Sequence, residues 1–432
     1  MTPSARLSAA IEILADIATR RRPALDCLKD WGLAHRFAGS GDRAAIGGLV
    51  FDTLRRRASA AHVMGEETPR ALLLGMLAVM RGLDVNAIAA LCDGARFAPE
   101  PLSADEHARL TAPNLESAAP WVQGDYPQWL DPQLAAMFGE ARMLEGRALA
   151  SRAPLDLRVN MLRAGLETAR AELAHLNPLP GAWSPLALRI ALDAEGKTPP
   201  VTSEPAFVKG AVEVQDEGSQ IAALLAAPLP GSQVLDLCAG AGGKTLELAA
   251  LMDNKGQIYA HDRDVRRLKP IHERLQRAGV RNVQVRAPRG SADVLADLAD
   301  RMDLVLVDAP CTGTGTWRRS PDAKWRVRPG ALDGRIRDQA AILDHAARFV
   351  RPGGRLAYVT CSLLDDENGA QIRRFLANQP DFSVVPTLET VLVLGQRGLD
   401  LRAAALAQPE GLLMTPRRTG TDGFFVSVLK RG

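Results

Sequence analysis

Two cysteines stand where chemistry is expected: Cys311 in Asp308-Ala309-Pro310-Cys311 and Cys361 in Thr360-Cys361-Ser362. Each follows an apolar run, Leu304–Val307 and Leu356–Val359, that the pattern predicts as a strand. In an open α/β sheet, reactive groups gather at the carboxyl ends of strands, so two consecutive strands of this kind bring both thiols to one pocket. An isolated cysteine is more often a small buried hydrophobe. Two placed just past strand ends, one in a proline-stiffened turn with an aspartate, reverse that preference. A thiolate that adds to C6 of a cytosine makes an enamine with electron density on C5, which can then displace a methyl group from a sulfonium. The C5 proton must afterwards leave and the thiolate be expelled, which gives a second thiol a task. Asp308 is suited to hydrogen-bond the N3 and N4 edge of the ring and to offset charge that develops during addition.

A methyl donor needs a cradle, and the strand Val234–Leu237 runs into Cys238-Ala239-Gly240-Ala241-Gly242-Gly243-Lys244-Thr245, followed by a helix. Glycines let a ligand approach the backbone, and the helix N-terminus lines the turn with N–H groups. A phosphate-binding P-loop would need glycine where Cys238 stands, and a dinucleotide fingerprint would need glycine where Thr245 stands. A short Gly-x-Gly turn suits S-adenosylmethionine, which carries no pyrophosphate. The next strand, Gln257–His261, ends at Asp262, whose carboxylate can accept both ribose hydroxyls of an adenosyl group. NAD would use the same acid, and a helix-capping role is open to it as well.

The elements that must position these groups alternate. Strands are predicted at Val234–Leu237, Gln257–His261, Val283–Arg286, Leu304–Val307, Leu356–Val359 and Phe424–Leu429, with helices between most of them, which calls for a mostly parallel sheet covered on both faces. Before it, residues 126–230 form a linker and a small α/β extension, with strands at Leu155–Val159 and near Leu186–Ala191 and a helix at Leu166–Leu176. Residues 1–125 form an all-α domain of amphipathic helices, exemplified by Ile46, Leu49, Val50 and Leu54 at helical spacing. The Pro- and Gly-bearing stretch Thr111–Asp131 is taken as the boundary, leaving 231–432 as the catalytic domain.

A hydrophobic fraction of 47% and a charged fraction of 24% over 432 residues suit a folded chain of two or three domains. No apolar run spans a membrane, the N-terminus lacks a secretory layout, and a cytoplasmic location is expected. Five cysteines with no C-x-x-C pair make a disulfide framework and a zinc site poor readings, so no metal is expected. Arginines cluster at Arg20-Arg21-Arg22, Arg55-Arg56-Arg57, Arg318-Arg319 and Arg417-Arg418, compatible with a phosphate-bearing partner or with solvated helix ends.

From about Leu155 to Arg431 the chain resembles the Nop/Sun RNA cytosine-C5 methyltransferases. The resemblance rests on Val214-Gln215-Asp216, the loop Cys238–Thr245, Asp262, Asp308-Ala309-Pro310-Cys311, Arg318-Arg319-Ser320-Pro321-Asp322, Thr360-Cys361-Ser362 and Asp422-Gly423-Phe424-Phe425, in that order. It implies a Rossmann-like methyltransferase sheet, S-adenosylmethionine as cofactor, Cys361 as nucleophile and Cys311 as the residue that assists product release. It also implies cofactor binding by Cys238, Ala239, Gly240, Ala241, Gly242, Gly243, Lys244, Asp262 and Asp308. The helical N-terminus, on segments such as Asp42-Arg43-Ala44 through Arg57, resembles the NusB-like RNA-binding domain of the bacterial subgroup that methylates small-subunit ribosomal RNA. That resemblance implies ribosomal RNA as substrate, with transfer RNA as the alternative; a monomer is expected. Two departures from the family are visible: Gly240-Ala241 replaces an Ala-Pro pair, which loosens the loop, and Arg286-Ala287-Pro288-Arg289 follows the third strand where an acid near the adenine is usual, with Asp293 nearby but shifted. A catalytically silent RNA-binding assembly factor and an NAD-dependent oxidoreductase are the competing readings. The first leaves both cysteines and Asp308 idle, and the second gives the paired thiols no role. His62 and His261 are read as non-catalytic.

Overall fold

Apolar helical stripes and apolar strands sort the chain into two compact units in the computed structural model, which describes residues 1–193, 196, 198–290 and 292–432. One unit is Met1–Ser151 together with Trp317–Arg328, and the other is Arg152–Thr316 together with Pro329–Gly432. No described helix is long and apolar enough to cross a membrane.

In the helical unit, helices Pro3–Arg20, Ala24–Ala34, Ser40–Arg55, Arg57–Met64 and Pro69–Val79 bury Leu7, Ile13, Leu14, Ile46, Val50, Leu73 and Leu74 in one core. Two of them start on a threonine cap followed by proline, Thr2 accepting from the Ala5 N–H and Thr68 from the Ala71 N–H, both at 3.2 Å. At Gly75 a Cβ would lie 2.7 Å from the Ala60 carbonyl oxygen, so only glycine allows that helix crossing.

The stretch expected to be a linker is part of this unit. Tyr126 is fully buried, and Asp125 accepts from Ser59 through its N–H at 2.9 Å and its Oγ at 2.8 Å. Helices Asp131–Phe138 and Arg142–Leu149 then continue the unit to Ser151, beyond the expected boundary at 125. The glycines there permit contact rather than freedom: a Cβ on Gly146 would sit 2.6 Å from the Gly124 carbonyl. Trp317–Arg328 completes the unit from far along the chain. Trp325 Nε1 donates to the Leu54 carbonyl at 2.6 Å, Lys324 Nζ to the Arg55 carbonyl at 3.1 Å, and Arg55 Nη1 to the Arg318 carbonyl at 2.6 Å.

The second unit contains two sheets. β1 (Leu155–Val159), β2 (Leu179–Pro180), β3 (Ala187–Ile190) and β4 (Val212–Val214) form an antiparallel sheet in the order β2-β3-β1-β4. β5 (Gln233–Asp236), β6 (Gln257–Ala260), β7 (Val283–Val285), β8 (Met302–Asp308), β9 (Val350–Thr360), β10 (Phe382–Val384), β11 (Leu406–Gln408), β12 (Gly411–Met414) and β13 (Phe424–Arg431) form the larger one. Its order is β11-β12-β13-β9-β8-β5-β6-β7, with β10 pairing β13. The five strands from β5 to β9 pair in parallel, as expected, whereas β10 to β13 pair antiparallel. The chain leaves β5 toward β6 and β7, then crosses to β8 and β9, so the carboxyl end of β5 is the switch point where such sheets bind ligands. Val234, Ile258, Leu304, Leu306, Ala357 and Val359 fill the core beneath it.

Candidate active site

Register decides where the two thiols meet. β8 and β9 are parallel neighbours with Asp308 beside Val359, so both turns leave the same edge of the sheet. The Sγ atoms of Cys311 and Cys361 come within 3.2 Å of each other. Cys311 is pushed well above the ordinary thiol range by its hydrogen bond to Cys361 and then by burial, so its sulfur keeps its proton.

A carboxylate absent from the sequence-based set holds these turns. Glu367 is fully buried. Its Oε1 accepts from the Thr312 N–H at 2.8 Å and from Gln339 Nε2 at 3.0 Å, and its Oε2 accepts from the Thr312 hydroxyl at 2.5 Å and from the Ser362 hydroxyl. Thr312 and Ser362 are the residues directly after Cys311 and Cys361. Gln339 also donates to the Pro310 carbonyl at 3.0 Å, and the Tyr358 hydroxyl donates to the Glu367 carbonyl at 2.7 Å. Asn368 adds a bond from its Nδ2 to the Ser362 carbonyl at 2.9 Å. In the sequence Glu367 ends the acidic run Asp365-Asp366-Glu367 and looks like solvated charge; the one usable signal is an Asn directly after it and a Thr-Cys-Ser five residues before.

Lys244, at the first turn of the helix Gly243–Leu251, reaches across the sheet end to Asp308, Nζ to Oδ2 at 2.8 Å. Burial opposes its charge, but Asp308, by charge and hydrogen bond, together with the charge on Cys361, outweighs it and holds the ammonium above its ordinary range. Its Nζ lies 5.2 Å from the ring centre of Phe424, in the Asp422-Gly423-Phe424-Phe425 motif. Lys244, assigned with the cofactor loop from the sequence, is therefore placed beside the carboxylate and thiols.

The glycine turn is built as its composition requires. Gly240 and Gly242 have φ of 51° and 84°, and a Cβ on Gly242 would strike Ile271 Cγ1 at 2.6 Å. Arg274 Nη1 donates to the Ala241 carbonyl at 2.8 Å, and Arg158, buried on β1, donates to the Gly243 carbonyl at 2.9 Å and to Glu247 at 3.1 Å. The loop that looked loosened by Gly240-Ala241 is held at its far end by these two guanidinium groups. Asp262 is buried; Oδ2 accepts from the Gly240 N–H at 3.0 Å and faces Arg267 Nη1 at 3.5 Å, while Oδ1 accepts from the Asp264 N–H at 2.8 Å, which leaves Oδ1 a second lone pair. Asp236, at the end of β5, accepts from the Thr245 hydroxyl at 2.7 Å through Oδ2, while its buried Oδ1 has no partner. Burial pushes its carboxyl up to about 7.

A cavity of about 770 Å³ joins these parts, lined by Cys238, Asp262, Asp308, Pro310, Cys311 and Cys361. The helix Pro329–Ala347 closes its other side with Arg335, Asp338, Ile342 and His345, none of which the sequence pattern singled out. His261 also lines it, its Nδ1 2.7 Å from the Arg286 carbonyl. Arg286 turns instead to Asp297, Nη2 to Oδ2 at 2.9 Å. Ala239, Gly240, Ala241, Gly242 and Gly243 shape the turn beside the cavity. His62 lies in the helical unit.

Known proteins resemble this chain. A family model described as 16S rRNA methyltransferase RsmB/F matches residues 223–430. A ribosomal RNA small subunit methyltransferase B of Xylella fastidiosa (strain 9a5c) is 33% identical over 412 residues, covering 90% of this chain and 91% of that one. The chain belongs to the RsmB/F methyltransferase family. A probable ribosomal RNA small subunit methyltransferase B of Synechocystis is 34% identical over 311 residues, 72% of this chain and 67% of its own. The crystal structure of PH0851 superimposes with a TM-score of 0.74 at 25% identity, covering 100% of this chain and 99% of that one.

The methyl donor of this RsmB/F protein is S-adenosylmethionine. The residues present fit it. The cavity is within the volume range of small-molecule sites, the glycine turn opens the backbone beside it, and the spare lone pair of Asp262 Oδ1 offers an acceptor to a ligand rich in donors.

Proposed function

We propose that this methyltransferase acts on the C5 carbon of a cytosine in small-subunit ribosomal RNA, with Cys361 as nucleophile. The observation that carries the reading is the 3.2 Å approach of two thiols in one cavity with Asp308, which Lys244 pairs at 2.8 Å. Cytosine C5 is too weakly nucleophilic to be alkylated unaided, and this donor set answers that difficulty.

Cys361, as a thiolate, adds through Sγ to C6, and the electron pair of the C5–C6 bond moves toward C5 and the ring. Lys244 supports this step, because its ammonium and a charge on Cys361 favour one another. Asp308, ion-paired with Lys244, accepts from the exocyclic N4 amine and so orients the ring. The turn Cys238–Gly243 with Asp262 would hold S-adenosylmethionine, which when bound would supply the methyl group that C5 takes up, with S-adenosylhomocysteine as the leaving thioether. The C5 proton then passes to solvent water, its C–H electron pair re-forms the C5–C6 double bond, and the Sγ–C6 bond breaks to return the Cys361 thiolate. Cys311 retains its proton next to the departing sulfur, so it can hydrogen-bond the thiolate as it is expelled. Glu367, by holding Thr312 and Ser362, keeps the two sulfurs in register. The base must be turned out of its stack to reach the cavity. The helical unit, read as a NusB-like domain, is assigned to RNA binding.

The test is transfer of labelled methyl to protein-free small-subunit ribosomal RNA, followed by nucleoside analysis, for the wild type, Cys361→Ser and Cys311→Ser. Wild type is expected to give 5-methylcytidine, Cys361→Ser none, and Cys311→Ser a covalent protein–RNA adduct. Full activity in Cys361→Ser overturns the nucleophile assignment, and methyl on any other atom overturns the reaction.

A further inference from the structure

The arginine clusters seen in the sequence leave a question that the active site does not answer, since Arg20-Arg21-Arg22 and Arg55-Arg56-Arg57 both belong to the helical unit. Folding brings parts of them together. A cavity of about 490 Å³ in that unit is lined by Arg21, Arg22, Arg57, Arg326 and Arg328, contributed by three stretches that are far apart in the chain. Its floor is apolar, made by Leu14, Ile17, Leu54, Leu72 and the indole of Trp325. Trp325 is fixed from below by its bond to the Leu54 carbonyl.

The rim is cationic beyond what its acids neutralise. Five guanidinium groups face two carboxylates. Glu67 is taken by Arg57 at 2.7 Å, and Asp322 by Arg326 at 3.0 Å and by the Ala24 N–H at 3.2 Å. Arg22 is paired outside the cavity with Asp30 at 2.7 Å. Arg21 and Arg328 are exposed and have no acidic partner among the described residues. Arg21 stands at the end of the helix Pro3–Arg20 in the left-handed region, φ 53°, which turns the chain there. An apolar floor under unneutralised arginines matches one chemistry well: a flat, weakly polar ring flanked by phosphates.

We infer that this cavity takes one unpaired nucleotide of the RNA substrate, its base on the apolar floor and its flanking phosphates on Arg21 and Arg328. Single-stranded RNA is read by such splayed bases, with arginine supplying the phosphate contacts. The volume, within the range of a small-ligand site, accommodates one nucleotide and not a duplex. The inference rests on the proposal that the protein acts on RNA, but it concerns a site remote in sequence from the thiols and asks nothing of them.

The test measures the dissociation constant of the full-length protein for small-subunit ribosomal RNA across a salt series, for wild type, R21Q/R328Q and R96Q. Arg96 is an exposed arginine of the same unit, outside the cavity. Each lost phosphate contact on a single strand makes the slope of log K against log salt shallower by about 0.7, so the double variant should lose about 1.4 in slope and bind about 25-fold more weakly at 0.1 M salt than wild type does. R96Q should behave as wild type. Thermal unfolding should be the same in all three proteins, which shows that the double variant is folded. Wild-type affinity and slope in R21Q/R328Q overturn the inference and leave the methyltransferase reading intact. Equal weakening in R96Q also overturns it, because the effect would then be one of net charge. Stabilisation by octanoate that vanishes in the double variant, with RNA affinity unchanged, reassigns the cavity to a small amphiphilic anion. A wild type that binds no RNA overturns this inference and the proposed substrate together.

Discussion

Replacing Glu367 with alanine removes four acceptor contacts at once, and the consequences divide unequally among the donors. Gln339 keeps its bond to the Pro310 carbonyl, and the Ser362 hydroxyl can turn to Thr314 Oγ1, 3.2 Å away. The Thr312 N–H and hydroxyl, both held by Glu367, have no such second choice in its network. At about 1–3 kcal/mol for each buried orphan, the loss comes to roughly 4 kcal/mol. In a unit of this size that lowers Tm by about 8 °C. The same change frees the turns that carry Cys311 and Cys361. A displacement of about 1 Å in a reacting group can cost on the order of 100-fold in rate, so methyl transfer in E367A is expected to fall at least that far. E367Q is the discriminating companion. Its amide oxygen can keep the Thr312 N–H and Gln339 bonds, and its NH₂ can donate to the two hydroxyls once they rotate. It should lose only about 1–2 kcal/mol and retain activity within about tenfold, since charge-assisted bonds become neutral ones while the geometry survives. Thermal unfolding and single-turnover methyl transfer on the full-length protein decide the matter. If E367Q is as damaged as E367A, charge rather than geometry is what Glu367 supplies; if E367A unfolds and reacts as wild type does, the buried network does not hold the thiols.

Lys244→Gln should leave folding close to wild type, because a buried ammonium is exchanged for a neutral group while Asp308 stays partly solvated, but it should slow methyl transfer by about 100-fold; a loss under threefold removes Lys244 from the mechanism. Lys324 gives a pH signature in the helical unit: burial, resisted by Asp125 and reinforced by Arg56 and Arg55, pulls its amine down to about 7 from 10.5. Between those values the unfolded chain holds a proton that the folded chain lacks, so folding stability rises with pH across the window, and below it the buried charge is carried at full cost. Lys324→Met should therefore stabilise the protein most at pH 6 to 7, by on the order of 4 kcal/mol less the lost bond to the Arg55 carbonyl, and progressively less toward pH 10. A stability difference that does not vary with pH refutes the neutral buried lysine.

What could be seen in the sequence followed from strong local signals. β1 coincides with its predicted span, Leu155–Val159, and β8 and β9 contain theirs, because long apolar runs ending in Asp-Ala-Pro-Cys and Thr-Cys-Ser leave few other conformations. β4, β10, β11 and β12 escaped because three or four residues carry no measurable period, and their strand character comes from pairing with neighbours such as β1 and β13. The thiols, Asp308 and the glycine turn carry recognisable chemistry at fixed spacing. Glu367 does not: among Asp365, Asp366 and Glu367 only the last is buried, and nothing local distinguishes it. The stretch around Pro120, Gly124 and Pro127 looked like a boundary because proline and glycine serve tight packing and loose linkage equally. Only the burial of Asp125 and Tyr126 separates the two uses.

Trp317–Arg328 leaves the chain a few residues after Cys311, supplies Trp317, Lys324 and Trp325 to the interior of the helical unit, and returns at Pro329. Gene order and fold are therefore out of step. A cut at residue 151, the natural place to separate the two halves, would yield an N-terminal piece missing one wall of its own core and a C-terminal piece trailing an indole-bearing segment into water. Chimeras made by swapping residues 1–151 between relatives would carry a hidden mismatch at twelve positions far downstream. Sound exchange of the helical unit requires moving Trp317–Arg328 along with it.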